Sequence, residues 1–322
     1  MEPVGGLRRV EAAELASATD VCRRVATNIR RAVEVRDDVL YVLLTALLAE
    51  GHVLIEDFPG VGKTALARAL ARSLDCQFAR VQCTTDLLPA DVVGTNVYNQ
   101  REQRFEFRPG PIFANVVLVD ELNRASPKTQ SGLLECMQER HVTVDLHSHE
   151  LARPFVVLAT QNPVEFEGTY PLPEAQVDRF LCRLELGYPS PSAEANMLAA
   201  HETGDRVREL EAVVRRADVL AAQDAAARVH ASEHLRDYIV AVVDHTRRDA
   251  RVELGASPRA GLMLLRAAKA RALLAGRDHA LPDDVQALAE SVLAHRLVLT
   301  VEADDGARAG VLADALAAVP AF

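Results

Sequence analysis

The spacing of hydrophobic positions changes repeatedly along the chain, and each change predicts an element. Residues 10 to 34 mix apolar side chains with arginines in a pattern compatible with a surface helix. A second helix is predicted from about Asp37, whose carboxylate can cap it, to Glu50, with Gly51 as the stop signal. The apolar run inside it, Val39 to Ala49, is broken by Tyr41 and Thr45 and falls short of the ~20 residues a bilayer span needs. His52 to Glu56 then reads as a short buried strand, leading through Pro59-Gly60-Val61-Gly62 into a helix from Lys63 to about Leu74. Further strand-like runs are Phe78–Gln82, Asn115–Val119, Pro154–Ala159 and Leu181–Leu186, separated by helical patterns, notably Ser126 to Arg140. Strands alternating with helices over about the first 188 residues predict an α/β core, a parallel sheet covered on both faces.

Two stretches depart from this alternation. Residues 97–107 and 141–153 each read as a small hairpin decorating the sheet, the second turning near Leu146-His147-Ser148-His149. The character changes at Tyr188-Pro189-Ser190-Pro191-Ser192, beyond which the chain is rich in alanine, leucine and arginine at helical spacing. Residues 1–188 are therefore expected to form the α/β core with its N-terminal helices. Residues 189–322 are expected to form a smaller all-helical domain, with a strand only near Val298.

Composition narrows the function classes. Of the 322 residues 49% are hydrophobic and 25% charged, the balance of a soluble globular protein. A formal net charge of −10 argues against a general phosphate-coating surface, so no nucleic-acid partner is expected. The five cysteines, Cys22, Cys76, Cys83, Cys136 and Cys182, are odd in number and lack C-x-x-C spacing, which predicts free thiols in a reducing compartment. With no secretory pattern at the N-terminus, a cytoplasmic protein without membrane insertion is expected. His141, His147 and His149 cluster in sequence but lack a third ligand at metal-binding spacing, and exposed loop histidines are expected.

The strongest chemical signal is Gly60-Val61-Gly62-Lys63-Thr64, set between a buried strand and a helix. Such loops hold phosphates because unpaired backbone N–H groups of the loop and helix start converge on one point. Pro59 through Ala65 are the expected nucleotide-binding residues, with Lys63 reaching the terminal phosphates and the Thr64 hydroxyl able to ligate Mg²⁺. Where the common pattern opens with glycine, this chain has Asp57, a position that need not touch phosphate. The second signal is Val116-Val117-Leu118-Val119-Asp120-Glu121, a buried strand ending in two carboxylates at the edge where ligands bind in α/β folds. Asp120 is the expected metal-holding carboxylate, together with Thr64, and Glu121 the expected base that polarises the attacking water.

The run Asp120-Glu121-Leu122-Asn123-Arg124-Ala125, with Leu133-Leu134-Glu135-Cys136-Met137-Gln138-Glu139, resembles the MoxR family of AAA+ ATPases. So do Phe105 to Phe113, Ala159-Thr160-Gln161-Asn162-Pro163 and Glu165 to Gln176, and the match runs from roughly Asn28 to Leu299. The family shares the aspartate at position 57. The resemblance implies a P-loop AAA+ core with an insert in its second helix (97–107) and a hairpin before sensor 1 (141–153), plus a C-terminal helical lid. It implies three further site residues: Asn162 as sensor 1, Arg179 as an arginine finger for a neighbour's ATP, and Arg259 as sensor 2, reaching back to the γ-phosphate from a lid helix capped by Ser257. Arg124 is a further candidate, either for sensing the nucleotide across an interface or merely for capping a helix. An ion pair of Arg179 with Asp178 or Glu174 is the competing structural role. In ring-shaped relatives such hairpins face the pore or a partner, so substrate contact is one reading for them and a plain surface ribbon the other.

Also implied are ATP and Mg²⁺ as cofactors, a homo-oligomer in the form of a hexameric ring, a partner with a von Willebrand factor A domain, and a client protein to be remodelled or activated. Two other classes compete. One is a nucleic-acid motor or ATP-dependent metal-chelatase subunit of the same AAA+ branch; the other is a scaffold that binds ATP and barely turns it over.

Overall fold

The computed structural model describes residues 9–58, 60–145, 147–162, 168–195, 197, 205–303 and 306–321. Pro59, Leu146 and the motif residues 163–167 lie outside the described set. Five strands, β1 (Val53–Glu56), β2 (Phe78–Gln82), β5 (Val116–Asp120), β8 (Val156–Gln161) and β9 (Cys182–Leu184), form one sheet in the order β2-β5-β8-β1-β9. Every pairing is parallel, with Leu118 beside Leu158 and Leu158 beside Val53. Successive strand side chains point to opposite faces, and here both faces are apolar. Val116 and Leu118 enter one core while Val117 and Val119 enter the other.

The first face carries helices α1 (Ala12–Arg30), α2 (Asp37–Leu48) and α3 (Lys63–Ser73). The same hydrophobic cluster continues without a break into the C-terminal helices 216–228, 233–248, 258–274, 282–293 and 307–318. Polar ties reinforce the junction: the Thr19 hydroxyl donates to Leu273 O at 3.0 Å and the Gln223 amide to Leu47 O at 2.8 Å. Within the helical region Asp284, fully buried, accepts from Arg271, Arg277 and the Leu281 N–H, the pairing a buried carboxylate requires.

The second face is covered by α4 (Pro89–Val93), α5 (Pro127–Glu139) and the start of the hairpin β6–β7 (His141–Val144 and His147–Glu150), while a second hairpin, β3–β4 (Gly94–Asn99 and Arg104–Pro109), contributes no residue to that core. At the base of β3–β4 Gly94 (φ +95°) faces Gly110. A Cβ on either would lie 2.3 Å from a backbone oxygen, so no other residue fits. The hairpins are bound to each other: the His149 ring stacks on Phe107 at 3.9 Å, and Asn96 Nδ2 donates to Asp145 Oδ2 at 2.5 Å. His149 is thus a packing residue rather than an exposed loop histidine.

Several boundaries differ from the sequence expectation. Arg36, not Asp37, takes the N-cap of α2, and Asp37 and Asp38 sit in its first turn, where carboxylates favour the helix dipole. The short helix α4 gave no periodic signal. The strand near Val298 is present as Val298–Leu299, antiparallel to Val252–Leu254. Among the described residues, no helix is long and apolar enough to cross a membrane.

Candidate nucleotide-binding site

The carboxyl ends of β1, β5 and β8, with β2 beside them, surround a cleft of about 390 Å³ lined by Gly60, Gly62, Lys63, Thr64, Ala65, Arg80, Gln82, Asp120, Glu121, Thr160 and Asn162. Gly60 (φ +87°) and Gly62 (φ +92°) are left-handed, a conformation L side chains rarely adopt, which is why glycine stands at both places. Gly62 is the N-cap of α3 and, having no side chain, leaves the first-turn N–H groups of Lys63, Thr64 and Ala65 available to an anion. Lys63 Nζ donates to Asp57 O at 2.8 Å. Burial pushes its ammonium below the usual lysine range, while the Asp57, Asp120 and Glu121 carboxylates oppose that shift. An arriving phosphate would resupply the counter-charge that burial lacks.

Asp120, 7% exposed, ends β5. A regular strand would turn Glu121 to the other face; its left-handed backbone (φ 56°) instead returns its carboxylate to the same cleft. Thr160 on the neighbouring β8 sets both acids, donating to Asp120 Oδ1 at 3.0 Å and accepting from Glu121 N at 2.8 Å. From β2, Arg80 donates to Asp120 Oδ2 at 2.8 Å and to Gln82 Oε1 at 2.8 Å, and Gln82 Nε2 donates to Glu121 Oε2 at 3.1 Å. Arg124 also reaches Glu121, at 3.2 Å. The sequence reading missed Arg80, Gln82 and Thr160. Polar residues in otherwise apolar strands were the available signal, but the partner strand that gives them meaning is set only by sheet order.

The donor set suits a hard divalent cation, which takes oxygen ligands from hydroxyl, carboxylate and phosphate. The Arg80 guanidinium already occupies Asp120 as a positive stand-in. Cys83, buried at the end of β2, has its thiol pushed up to about 12 by burial, with Asp120 and Glu121 adding to the shift, so it offers no nucleophile.

Asp57 acquires a physical reason. Only 5% exposed, it accepts from Phe58 N at 2.9 Å and from Gly187 N at 2.7 Å, fastening the start of the phosphate loop to the chain that leaves β9. The Phe58 and Tyr188 rings stack beside it with centroids 5.7 Å apart. Next to this latch a second cleft of about 430 Å³ opens between residues 33–36, Val61 and residues 186–190.

The remaining candidates divide. Asn162 follows β8 and lines the first cleft with the phosphate loop. Arg179 and Arg259 lie at the opposite, amino-terminal edge of the sheet. There Leu181 N donates to His52 O at 2.8 Å, just before β1, and Met137 O at the end of α5 accepts from His52 Nε2 at 3.0 Å. Arg259 donates to Gln138 Oε1, one residue on, at 3.3 Å. The four residues of β1, rising about 3.3 Å each, put roughly 13 Å of sheet between that edge and the phosphate loop. The expectation that Arg259 reaches back to its own chain's γ-phosphate is therefore corrected. Ser257 does cap the helix that carries it, accepting from Ala260 N at 3.1 Å, but that helix starts beside Asp178 rather than beside the loop. Among the described residues Arg179 makes no ion pair; Asp178 pairs with Arg296 instead.

Geometry of this kind, a glycine loop opening a helix on one side of a cleft and paired acids on the other, defines a P-loop nucleotide-binding protein. Comparison with known proteins narrows the class. Residues 52–182 match the ATPase family associated with various cellular activities (AAA), and residues 244–315 match the AAA lid domain. The chain is 51% identical over 280 residues to the uncharacterised protein YeaC of Bacillus subtilis, covering 87% of this chain and 88% of that one. It is 42% identical over 298 residues to Chaperone MoxR1 of Mycobacterium tuberculosis, covering 90% and 78%. The crystal structure of a candidate ATPase from Cytophaga hutchinsonii superposes with a TM-score of 0.90 at 37% identity, covering 96% and 97%. The chain belongs to the MoxR family of AAA+ ATPases.

Proposed function

We propose that this chain is a Mg²⁺-dependent ATPase that couples ATP binding and hydrolysis to chaperone-like remodelling or activation of a partner protein. One observation carries the reading: the Gly60–Thr64 cradle and the Asp120–Glu121 pair face each other across one cleft. The loop N–H groups and Lys63 hold the phosphates, and Glu121 takes the proton of the attacking water, oriented with help from Asn162. Thr64 and Asp120 would hold the metal ion, which neutralises charge on the phosphates when bound. The cleft at Val61 and Tyr188 receives the base.

Arg179 and Arg259, remote from their own pocket, serve the pocket of a neighbouring chain. One edge of the sheet then meets the other edge of the next copy, a head-to-tail contact that closes into a ring. A hexamer, a von Willebrand factor A partner and a separate client follow from the family resemblance, and the name of the mycobacterial relative supports the chaperone role. Calorimetry tests the pocket: Lys63→Ala should abolish Mg²⁺-ATP binding, whereas Glu121→Gln should retain binding and lose turnover. Unchanged turnover in Glu121→Gln would remove Glu121 from its role, and a folded parent chain without Mg²⁺-dependent affinity for adenine nucleotides would end the ATPase reading.

A further inference from the structure

Arg179 sits on the short segment Asp178–Leu181 before β9, and that segment is gripped by the C-terminal helical region. The Arg296 side chain is 2% exposed, yet it carries a permanent charge. Its Nε donates to Asp178 Oδ1 at 2.8 Å. Its two Nη groups donate to backbone oxygens on both sides of Arg179: Asp178 O and Leu181 O, each at 3.3 Å, and Phe180 O. His295, kept neutral by burial that holds it well below its usual pKa, donates from Nε2 to Phe180 O at 3.3 Å. Ser257, the cap of the helix bearing Arg259, reaches the two Asp178 oxygens at 3.4 and 3.3 Å.

Burying a guanidinium is costly, and replacing a buried ion pair with well-packed apolar groups is often neutral or stabilising. Stability alone therefore does not call for an arginine here. A planar fork with five donors does explain the pattern, since it can hold a carboxylate and several carbonyls at once in one orientation. The flanking carbonyls are consumed by that grip, while the Arg179 side chain between them stays half-buried and outside every ion pair found among the described residues.

We propose that Arg296, assisted by His295, is the positioning residue for Arg179. It locks the Asp178–Leu181 backbone to the C-terminal helices, so that Arg179 and Arg259 are presented to the neighbouring pocket as one rigid unit. Any displacement of the helical region then moves Arg179 with it, and hydrolysis next door depends on the position of this chain's own lid. The proposal rests on the reading of Arg179 as a donor to a neighbouring pocket.

The test is a complementation experiment on full-length chains. Arg296→Met should lower kcat of the self-assembled protein at least about tenfold, a partial loss of the roughly 10³–10⁵-fold that a donated arginine supplies. ATP affinity, measured by calorimetry, should stay unchanged because its own cleft is intact. Mixed with Glu121→Gln chains, which contribute a sound Arg179 edge and a dead pocket, Arg296→Met chains should recover turnover. A lesion that unfolds the chain or damages its own cleft would not be cured by mixing. Asp178→Asn, at a partly exposed position, should act in the same direction more weakly and guards against a folding failure of the first variant. Arg179→Ala mixed with Glu121→Gln is the reference. If that reference recovers and Arg296→Met does not, or if Arg296→Met alone keeps full turnover, the positioning role is overturned. If the reference itself shows no recovery, Arg179 is no trans donor and the inference falls with that reading.

Discussion

Restoring the common glycine at the start of the phosphate loop should damage this protein. In Asp57→Gly the part-buried N–H groups of Phe58 and Gly187 both lose a carboxylate acceptor. Leaving a buried donor unpaired costs about 1–3 kcal/mol each. The backbone at position 57 is not left-handed, so glycine gains nothing there and adds about 0.5–1 kcal/mol of unfolded-chain entropy. Because both donors are part-buried and partly rehydrated, the lower end of that range applies to each, and together the loss comes to about 2.5–4 kcal/mol. Urea denaturation of the nucleotide-free protein measures it, with Asp57→Ala separating the glycine entropy from the lost acceptors. Because one apolar cluster joins core and C-terminal helices, a single transition is expected and the shift in its midpoint carries the result. Nucleotide affinity should fall too, since Phe58 and Tyr188 lose the latch that aligns them. An Asp57→Gly midpoint equal to the parent's would show that the carboxylate holds nothing.

Two further outcomes follow from single groups. Arg80→Gln frees Asp120, so the Mg²⁺ concentration giving half-maximal nucleotide affinity should drop by about two- to fivefold, the scale of a partly exposed ion pair; an unchanged or higher midpoint in a magnesium titration would count against Arg80 as a stand-in cation. His52 is buried between Met137 O and Val157 N, and burial lowers its pKa to about 4. The unfolded chain then binds the extra proton first, so stability is intact above about pH 6.5 and declines as pH falls toward 4, by roughly 3 kcal/mol in all. His52→Gln should flatten that part of the stability profile, and an equally steep acid limb in the variant would assign the effect elsewhere.

What the sequence disclosed depended on whether the signal was local. The strands around Val53, Val116 and Val156 were legible because both faces of a parallel sheet are buried, giving apolar runs bounded by turn residues. The loop from Gly60 to Thr64 was legible because its chemistry is contiguous. Strand boundaries slipped by a few residues where a polar residue joins the ladder, as Gln161 does beside Glu56. Arg80 and Thr160 were missed because each acquires its role only from β5 lying between β2 and β8. The placement of Arg259 was misjudged for the same kind of reason: its capped helix start was visible, but the edge on which that helix begins is fixed by packing of residues 258–274 against α2 and α1.

The position of the two remote arginines makes electrostatic sense on the proposed reading. Within the cleft, Asp120 and Glu121 already hold Arg80 and Arg124. A further cation delivered to the same pocket by the same chain would pair with those acids in the empty state and reach the phosphate only by breaking that pair. Across roughly 13 Å of sheet the Coulomb attraction falls to about a third of its value at ion-pair distance, so Arg179 and Arg259 pull only weakly on their own pocket. Such charges act strongly only at contact and in a dehydrated interface, where the effective dielectric falls. On that reading their influence on hydrolysis is switched by docking of one copy on another, and the grip of Arg296 on Asp178 would decide how accurately the docked charge is aimed.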